Sequence, residues 1–140
     1  MARVQILLDT GPWVALLSRS DTYHSWAVAH FAAHAGPFYS CEAVLAETCF
    51  LLARSGFDPA LALQFVERGV VQIPFVLQEQ IAAVRQLFER YDNVPASLAD
   101  ASLIRLSELV DACQLLTLDS DFAIYRRHGR KAIPLIRPSA

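Results

Sequence analysis

Four carboxylates stand in surroundings where a charge is expensive. Asp9 closes the apolar run Val4-Gln5-Ile6-Leu7-Leu8 and precedes Thr10-Gly11-Pro12. Glu47 falls within Val44-Leu45-Ala46-Glu47-Thr48-Cys49-Phe50-Leu51-Leu52, with Ala43, Val44, Phe50 and Leu51 as its helical neighbours. Asp100 opens Asp100-Ala101-Ser102-Leu103-Ile104, and Asp119 follows Leu115-Leu116-Thr117-Leu118. A carboxylate among apolar groups must be paired, protonated or bound to a cation. If several converge, each pair repels by roughly 4 kcal/mol at 4 Å and an effective dielectric of 20. A divalent metal is the simplest way to hold them together.

Each acid also has an ordinary structural reading. Asp9 suits a turn before Gly11-Pro12. Asp119 suits the N-cap of a following helix. Asp100 sits at S-x-x-D spacing from Ser97, the pattern of a capping box. Glu47 fits such a reading least, because its own helix face is apolar; the four together are harder to explain than any one. Thr10 and Thr117 are placed to orient a carboxylate, water or phosphate, or to serve as turn and strand-end residues. Asp121 lies two positions beyond Asp119, about 200° further round a helix, and is expected to face away or to act through water. His24 reads as a first-turn residue paired with Asp21.

These residues need a frame. Val4 to Leu8 is a buried strand by its continuous apolarity, followed by a short helix with Pro12 in its first turn. Asp21 is the expected N-cap of a helix from about Thr22 to Ala35. Phe38 to Ser40 is a strand, Cys41 to Arg54 a helix, Pro59 to Arg68 another, and Val70 to Ile73 a strand. Gln78 to Tyr91 is helical, and Ser97 caps a helix to about Val110. Leu115 to Leu118 is a strand, Ser120 to Arg127 a short helix, and Ala132 to Ile136 an edge strand carrying Pro134. Strands separated by helices imply a parallel sheet covered on both faces. Ligands of such sheets bind beyond the carboxyl ends of the strands, where Asp9 and Asp119 fall.

The order of motifs resembles the PIN-domain nucleases, and within them the VapC-like toxins of bacterial toxin–antitoxin pairs, over essentially the whole chain. The matching residues are Leu7-Leu8-Asp9-Thr10-Gly11-Pro12, Asp21 to His24, Ala46-Glu47-Thr48, Leu98-Ala99-Asp100-Ala101 and Leu115-Leu116-Thr117-Leu118-Asp119-Ser120-Asp121-Phe122. The resemblance implies a single PIN-like three-layer α/β/α domain over residues 1–140, with a central, mainly parallel sheet. It implies an Mg²⁺- or Mn²⁺-dependent endoribonuclease that leaves a 5′-phosphate and a 3′-hydroxyl, usually homodimeric, cytoplasmic and silenced by a small antitoxin. Asp9 and Asp100 are then the main direct metal ligands, Glu47 a ligand directly or through water, and Asp119 the fourth acid. Arg126, Arg127, Arg130 and Lys131 become candidate contacts to RNA phosphates.

Three other readings compete. Asp9-Thr10-Gly11 matches the triplet of retroviral-type aspartic proteases, but those are all-β with a glycine-rich flap, and this chain has 5 glycines and many helical periods. A phosphoryl-transfer receiver would need an acidic pair at the first strand end and a late strand-end lysine; the sole lysine, Lys131, precedes the last strand. A PIN-like scaffold that binds RNA or a partner without cutting is the remaining alternative, and the intact acid set argues against it.

Composition bounds the rest. At 140 residues the chain can bury a core without staples. Its net charge of −2 makes it no general nucleic-acid binder, although basic residues crowd its C-terminal end. The opening Met1-Ala2-Arg3 leads at once into the first strand, which is too short for a signal-peptide core. No apolar stretch reaches the length of a membrane span. The excess apolarity points instead to a surface that meets another chain. Cys41, Cys49 and Cys113 lack metal-site spacing and suit packing in a reducing compartment.

Overall fold

The computed structural model describes residues 3–139; Met1 and Ala2, which precede the first strand, lie outside them. Strand β1 (Gln5–Leu8) is the middle of a five-stranded parallel sheet, flanked by β2 (Phe38–Tyr39) and β4 (Cys113–Leu116). Beyond them lie β3 (Val71–Gln72) and β7 (Leu135–Ile136), giving the order β3-β2-β1-β4-β7. A separate antiparallel hairpin joins β5 (Arg126–Arg127) to β6 (Lys131–Ala132). Leu7, Leu8, Leu115 and Leu116 are fully or almost fully buried, as strands covered on both faces require.

Among the described residues six α-helices accompany the sheet: α1 (Thr10–Leu17), α2 (His24–Ala33), α3 (Glu42–Arg54), α4 (Ala60–Glu67), α5 (Ile81–Arg90) and α6 (Leu98–Leu109). Short 3₁₀ turns cover Leu77–Gln80 and Ser120–Ala123. Helix α1 packs on α2 and α3, α3 on α6, and α6 on α5. Trp13, Val44, Leu52, Leu103, Ile104, Phe122 and Tyr125 fill the space between helices and sheet. This parallel α/β architecture excludes the all-β protease reading of Asp9-Thr10-Gly11. Gly11 has a packing role: a Cβ there would lie 3.1 Å from Leu118 Cβ, so the first turn of α1 rests against the segment leaving β4.

Several expected elements shift. Helix α2 begins at His24 rather than Thr22, because Asp21 closes a turn instead, its side chain accepting from Tyr23 N–H at 2.8 Å. Nor does His24 pair with the Asp21 side chain: its Nδ1 lies 2.8 Å from the carbonyl of Ala15 and ties α2 to α1. The strand expected over Leu115 to Leu118 is Cys113–Leu116, set by its pairing with β1. The helix expected from Ser120 to Arg127 stops at Ala123, and Arg126-Arg127 enters the hairpin. The last strand starts after Pro134, which cannot donate to the ladder.

Candidate active site

All five strands of the sheet run the same way, so their carboxyl ends share one edge. Leu8 and Leu116 are aligned partners in β1 and β4, which brings Asp9 beside Thr117. Asp9 is the N-cap of α1: its Oδ1 accepts from Thr10 N–H at 2.8 Å. Its Oδ2 accepts from the Thr117 hydroxyl at 2.7 Å, a contact across 108 positions of sequence. The same hydroxyl accepts from Asp119 N–H at 2.9 Å. Thr117 therefore fixes the rotamer of one acid and the backbone carrying another. Ser40, at the end of β2, donates its hydroxyl to Leu8 O at 2.8 Å and anchors the neighbouring strand end.

Asp100 realises the expected capping box. Its Oδ2 accepts from Ser97 N–H at 3.0 Å, and Ser97 Oγ accepts from Asp100 N–H at 3.1 Å. The box leaves Asp100 Oδ1 without a hydrogen bond among the described residues, so capping and a second role are compatible. Asp119 caps the 3₁₀ turn, its Oδ1 accepting from Asp121 N–H at 2.9 Å.

The electrostatics join these acids into one group. Burial lifts the Asp9 carboxyl from the ordinary aspartate value of 3.8 to about 7; its two hydrogen bonds oppose the shift, and Asp100 and Asp119 add to it. Asp100 is raised by burial against its bonds to Ser97, with Asp119 and Asp121 adding. Glu47 is raised by partial burial and then by Asp100 and Asp119. Among the described residues none of these acids forms an ion pair. Buried Tyr125 stands over the same group; its phenol is pushed up by burial and by Asp100, Asp121 and Asp119.

Three expectations need correction. Glu47 is not in the core. Helix α3 buries Val44, Thr48 and Leu52, while Glu47 lies on the exposed flank near Phe50, itself 63% exposed. The apolar neighbours signalled an uncovered surface rather than an interior. Asp121 does not face away, since it acts on Asp100 and Tyr125. Arg127 is buried and structural. Its guanidinium donates to Ser107 O and, at 2.8 Å, to Val110 O, capping the carboxyl end of α6. Arg126 likewise donates to Ala123 O at 2.8 Å and Tyr125 O at 3.1 Å. Arg130 and Lys131 are exposed on the hairpin. That hairpin packs at the far end of α6 from Asp100, since His128 N–H donates to Glu108 at 2.7 Å.

Among the described residues no three His, Cys, Asp or Glu side chains close up into a ready-made coordination shell. The donor set nonetheless fits a hard divalent cation. It is all oxygen, it lacks a protein counter-charge, and Mg²⁺ binds through few carboxylates while keeping waters. Thr10 Oγ1, beside Asp9, is buried without a protein partner, as expected for a hydroxyl facing a bound water. Asp9 and Asp100 offer the most confined oxygens, with Asp119 and Glu47 at the rim. The groups that sequence alone did not single out are Ser40, which holds the backbone of Leu8 just before Asp9, and Tyr125, which tertiary packing brings near the acids. All three cysteines are free.

The family model described as PIN domain matches residues 6–127. Among solved structures, that of the Mycobacterium tuberculosis VapC20 toxin, described as sarcin-ricin loop cleaving, superimposes with a TM-score of 0.76 at 24% sequence identity. The superposition covers 86% of this chain and 94% of that one. No curated protein sequence matches the chain significantly.

Proposed function

The chain belongs to the PIN domain family, and on that premise we propose that it is a divalent-metal-dependent endoribonuclease, the toxin of a toxin–antitoxin pair. The single observation that carries this reading is that Asp9, Asp100 and Asp119, with Glu47 at the rim, lie near enough to disfavour one another's ionisation while none of them has an ion-pair partner among the described residues. The structurally similar VapC20, described as a sarcin-ricin loop cleaving toxin, supports the substrate class.

Asp9 and Asp100 would hold Mg²⁺ or Mn²⁺, with Glu47 and Asp119 completing the acid set. A bound ion would supply Lewis-acid polarisation of the scissile phosphate and a more acidic water as nucleophile. The chain's own residues do the positioning. Thr10 N–H and the Thr117 hydroxyl lock Asp9 in one rotamer, so its oxygens need no reorganisation on loading. Asp100 is locked by the Ser97 box with Oδ1 spare. Thr117 couples Asp9 to the Asp119 turn, so the two acids keep a fixed relation. Tyr125 and Phe122 pack edge to face at 5.3 Å and form an apolar floor; water excluded there strengthens every charge interaction above.

The partners follow from the surface. A largely apolar cavity of about 530 Å³ flanks the acids, lined by Cys41, Ala46, Phe75, Val76, Leu98 and Ser102. It supports docking of an apolar segment of a small antitoxin whose arginine reaches the carboxylates. Exposed Phe50, Val76, Ile81 and Leu98 support a homodimer. No helix of the described residues is long and apolar enough to cross a membrane, and three free thiols suit a reducing cytoplasm. Purified protein is expected to cut single-stranded or loop RNA with Mg²⁺ or Mn²⁺ and to stop in EDTA. Full activity in EDTA would overturn the mechanism, and metal-independent RNA binding without cleavage would favour a scaffold.

A further inference from the structure

Far from the acids, α5, α6 and the β5–β6 hairpin enclose a cavity of about 290 Å³ that the proposed hydrolysis does not use. Its wall carries Arg90, Arg105, Gln86, His128 and Glu108. Glu108 is already engaged on both oxygens, by Arg105 Nη1 at 3.1 Å and by His128 N–H at 2.7 Å. Arg105 is held in place by that bond and by Nε to Gln80 Oε1 at 2.8 Å. Arg90, by contrast, has no hydrogen-bond or ion-pair partner among the described residues. The contrast is sharp on one helix, because Arg85 one turn earlier is paired with Glu89 at 2.6 Å.

The hairpin turn is shaped around that unpaired guanidinium. His128 and Gly129 both have positive φ, +54° and +79°, and Arg130 N–H reaches Arg127 O at 3.3 Å. Such a turn favours asparagine and glycine; here a histidine takes the strained first position. A Cβ at Gly129 would lie 3.2 Å from Arg90 Nη1, so glycine leaves room for the arginine as well as for the φ. Arg130 and Lys131 stand exposed on the same hairpin. In a chain of net charge −2, the cavity lining sets two arginines against one acid, Glu108, and that acid is bound.

We propose that this pocket, centred on Arg90 with Arg105 and the His128–Gly129 turn, binds a backbone phosphate of single-stranded RNA at a distance from the cleaved bond. The proposal rests on the nuclease reading for its substrate. Asp100 and Glu108 are eight positions apart on α6, about 12 Å at a 1.5 Å rise. That spans roughly three to four phosphates at a duplex strand's 3.4 Å spacing, fewer in a stretched strand. A strand lying on the acids is therefore long enough after a few nucleotides to reach the pocket. A planar guanidinium suits a phosphate bidentately.

The test uses the full chain carrying Asp9→Asn, so that RNA is not consumed. Fluorescence anisotropy of a single-stranded oligoribonucleotide is followed against salt, with and without Arg90→Ala. Arg90→Ala is expected to weaken binding about tenfold, about 1.4 kcal/mol, and to reduce the slope of log affinity against log salt by about 0.7. Arg85→Ala, outside the pocket, should change neither by as much. The amides of His128 and Gly129 should shift in NMR spectra with the oligonucleotide and, at higher concentration, with inorganic phosphate. Unchanged affinity and slope in Arg90→Ala overturn the proposal. So does a pocket that responds to inorganic phosphate while ignoring RNA, which would make it a free-anion site. If Arg90→Ala weakens RNA binding but the unmodified chain cuts nothing with metal, the pocket stands and the reading of the acids falls.

Discussion

Replacing Asp9 by asparagine should make the metal-free protein more stable at alkaline pH, although it removes a residue at the heart of the site. Asp9 is 6% exposed, and its carboxyl is raised from 3.8 to about 7, chiefly by burial. At about 1.36 kcal/mol per pH unit, ionised Asp9 costs about 4 kcal/mol at pH 8 without a cation. Asparagine has nearly the same shape and keeps an oxygen for Thr10 N–H. It disturbs the bond from the Thr117 hydroxyl, a loss of about 1 kcal/mol. The net gain is about 2 to 3 kcal/mol. For a chain of this size that raises Tm by about 6 to 12 °C. Because the folded-state pKa lies above the unfolded one, the stabilising contribution of protonated Asp9 is complete below about pH 4 and is lost as pH rises through about 7. The gap between variant and parent should therefore close on acidification. The assay is thermal unfolding by circular dichroism in EDTA at pH 4, 6 and 8, repeated at pH 8 with Mg²⁺. Added metal should raise Tm of the parent and leave Asp9→Asn unmoved. An Asp9→Asn protein that melts below the parent at pH 8 in EDTA, or a difference independent of pH, would refute the reasoning and leave Asp9 a plain helix cap.

Other outcomes follow from the same geometry. At limiting Mg²⁺, cleavage should rise up to tenfold per pH unit and level off above about 7, since the metal requires ionised Asp9; a flat profile from pH 5 to 8 at limiting metal would remove Asp9 from the ligand set. Asp119→Ala should weaken metal binding in a calorimetric titration more than Asp121→Ala, because Asp119 acts on Asp9, Glu47 and Asp100 while Asp121 acts on Asp100 and not on Asp9 or Glu47; the reverse ranking would make Asp121 the fourth acid. Arg127→Ala should cost about 1 to 3 kcal/mol in denaturant unfolding, through the uncapped carbonyls of Ser107 and Val110, and leave RNA affinity unchanged; an RNA-binding defect in a stably folded variant would return Arg127 to the interface. Phe50→Glu should turn a homodimer into a monomer in light scattering, and a wild-type protein that is monomeric at micromolar concentration would contradict the dimer.

The parallel sheet and the ends that carry Asp9 and Asp119 were legible because strand apolarity and turn residues are local signals. The Ser97–Asp100 box was legible as a cap, and it leaves one Asp100 oxygen spare for the role proposed for it. The link from Thr117 to Asp9 was not legible, since register between β1 and β4 decides it across 108 positions. Glu47 was misjudged because an apolar helix face says that something must cover it, and here that is not the domain's own core. Arg127, one of the basic run from Arg126, was misjudged for a related reason. Charge composition does not reveal that Arg127 turns inward to cap α6, nor that Arg90, distant in sequence, shares a pocket with the hairpin.

The central claim is that four converging carboxylates hold a metal that cuts RNA. Its most direct measurement is cleavage of a 5′-labelled single-stranded RNA by the purified protein, with end-group analysis of the fragments. The account predicts fragments with 5′-phosphate and 3′-hydroxyl ends in Mg²⁺ or Mn²⁺, and no cleavage in EDTA or with Asp9→Asn or Asp100→Asn under any metal. Fragments ending in a 2′,3′-cyclic phosphate, or cleavage that survives in EDTA and in both variants, would contradict it.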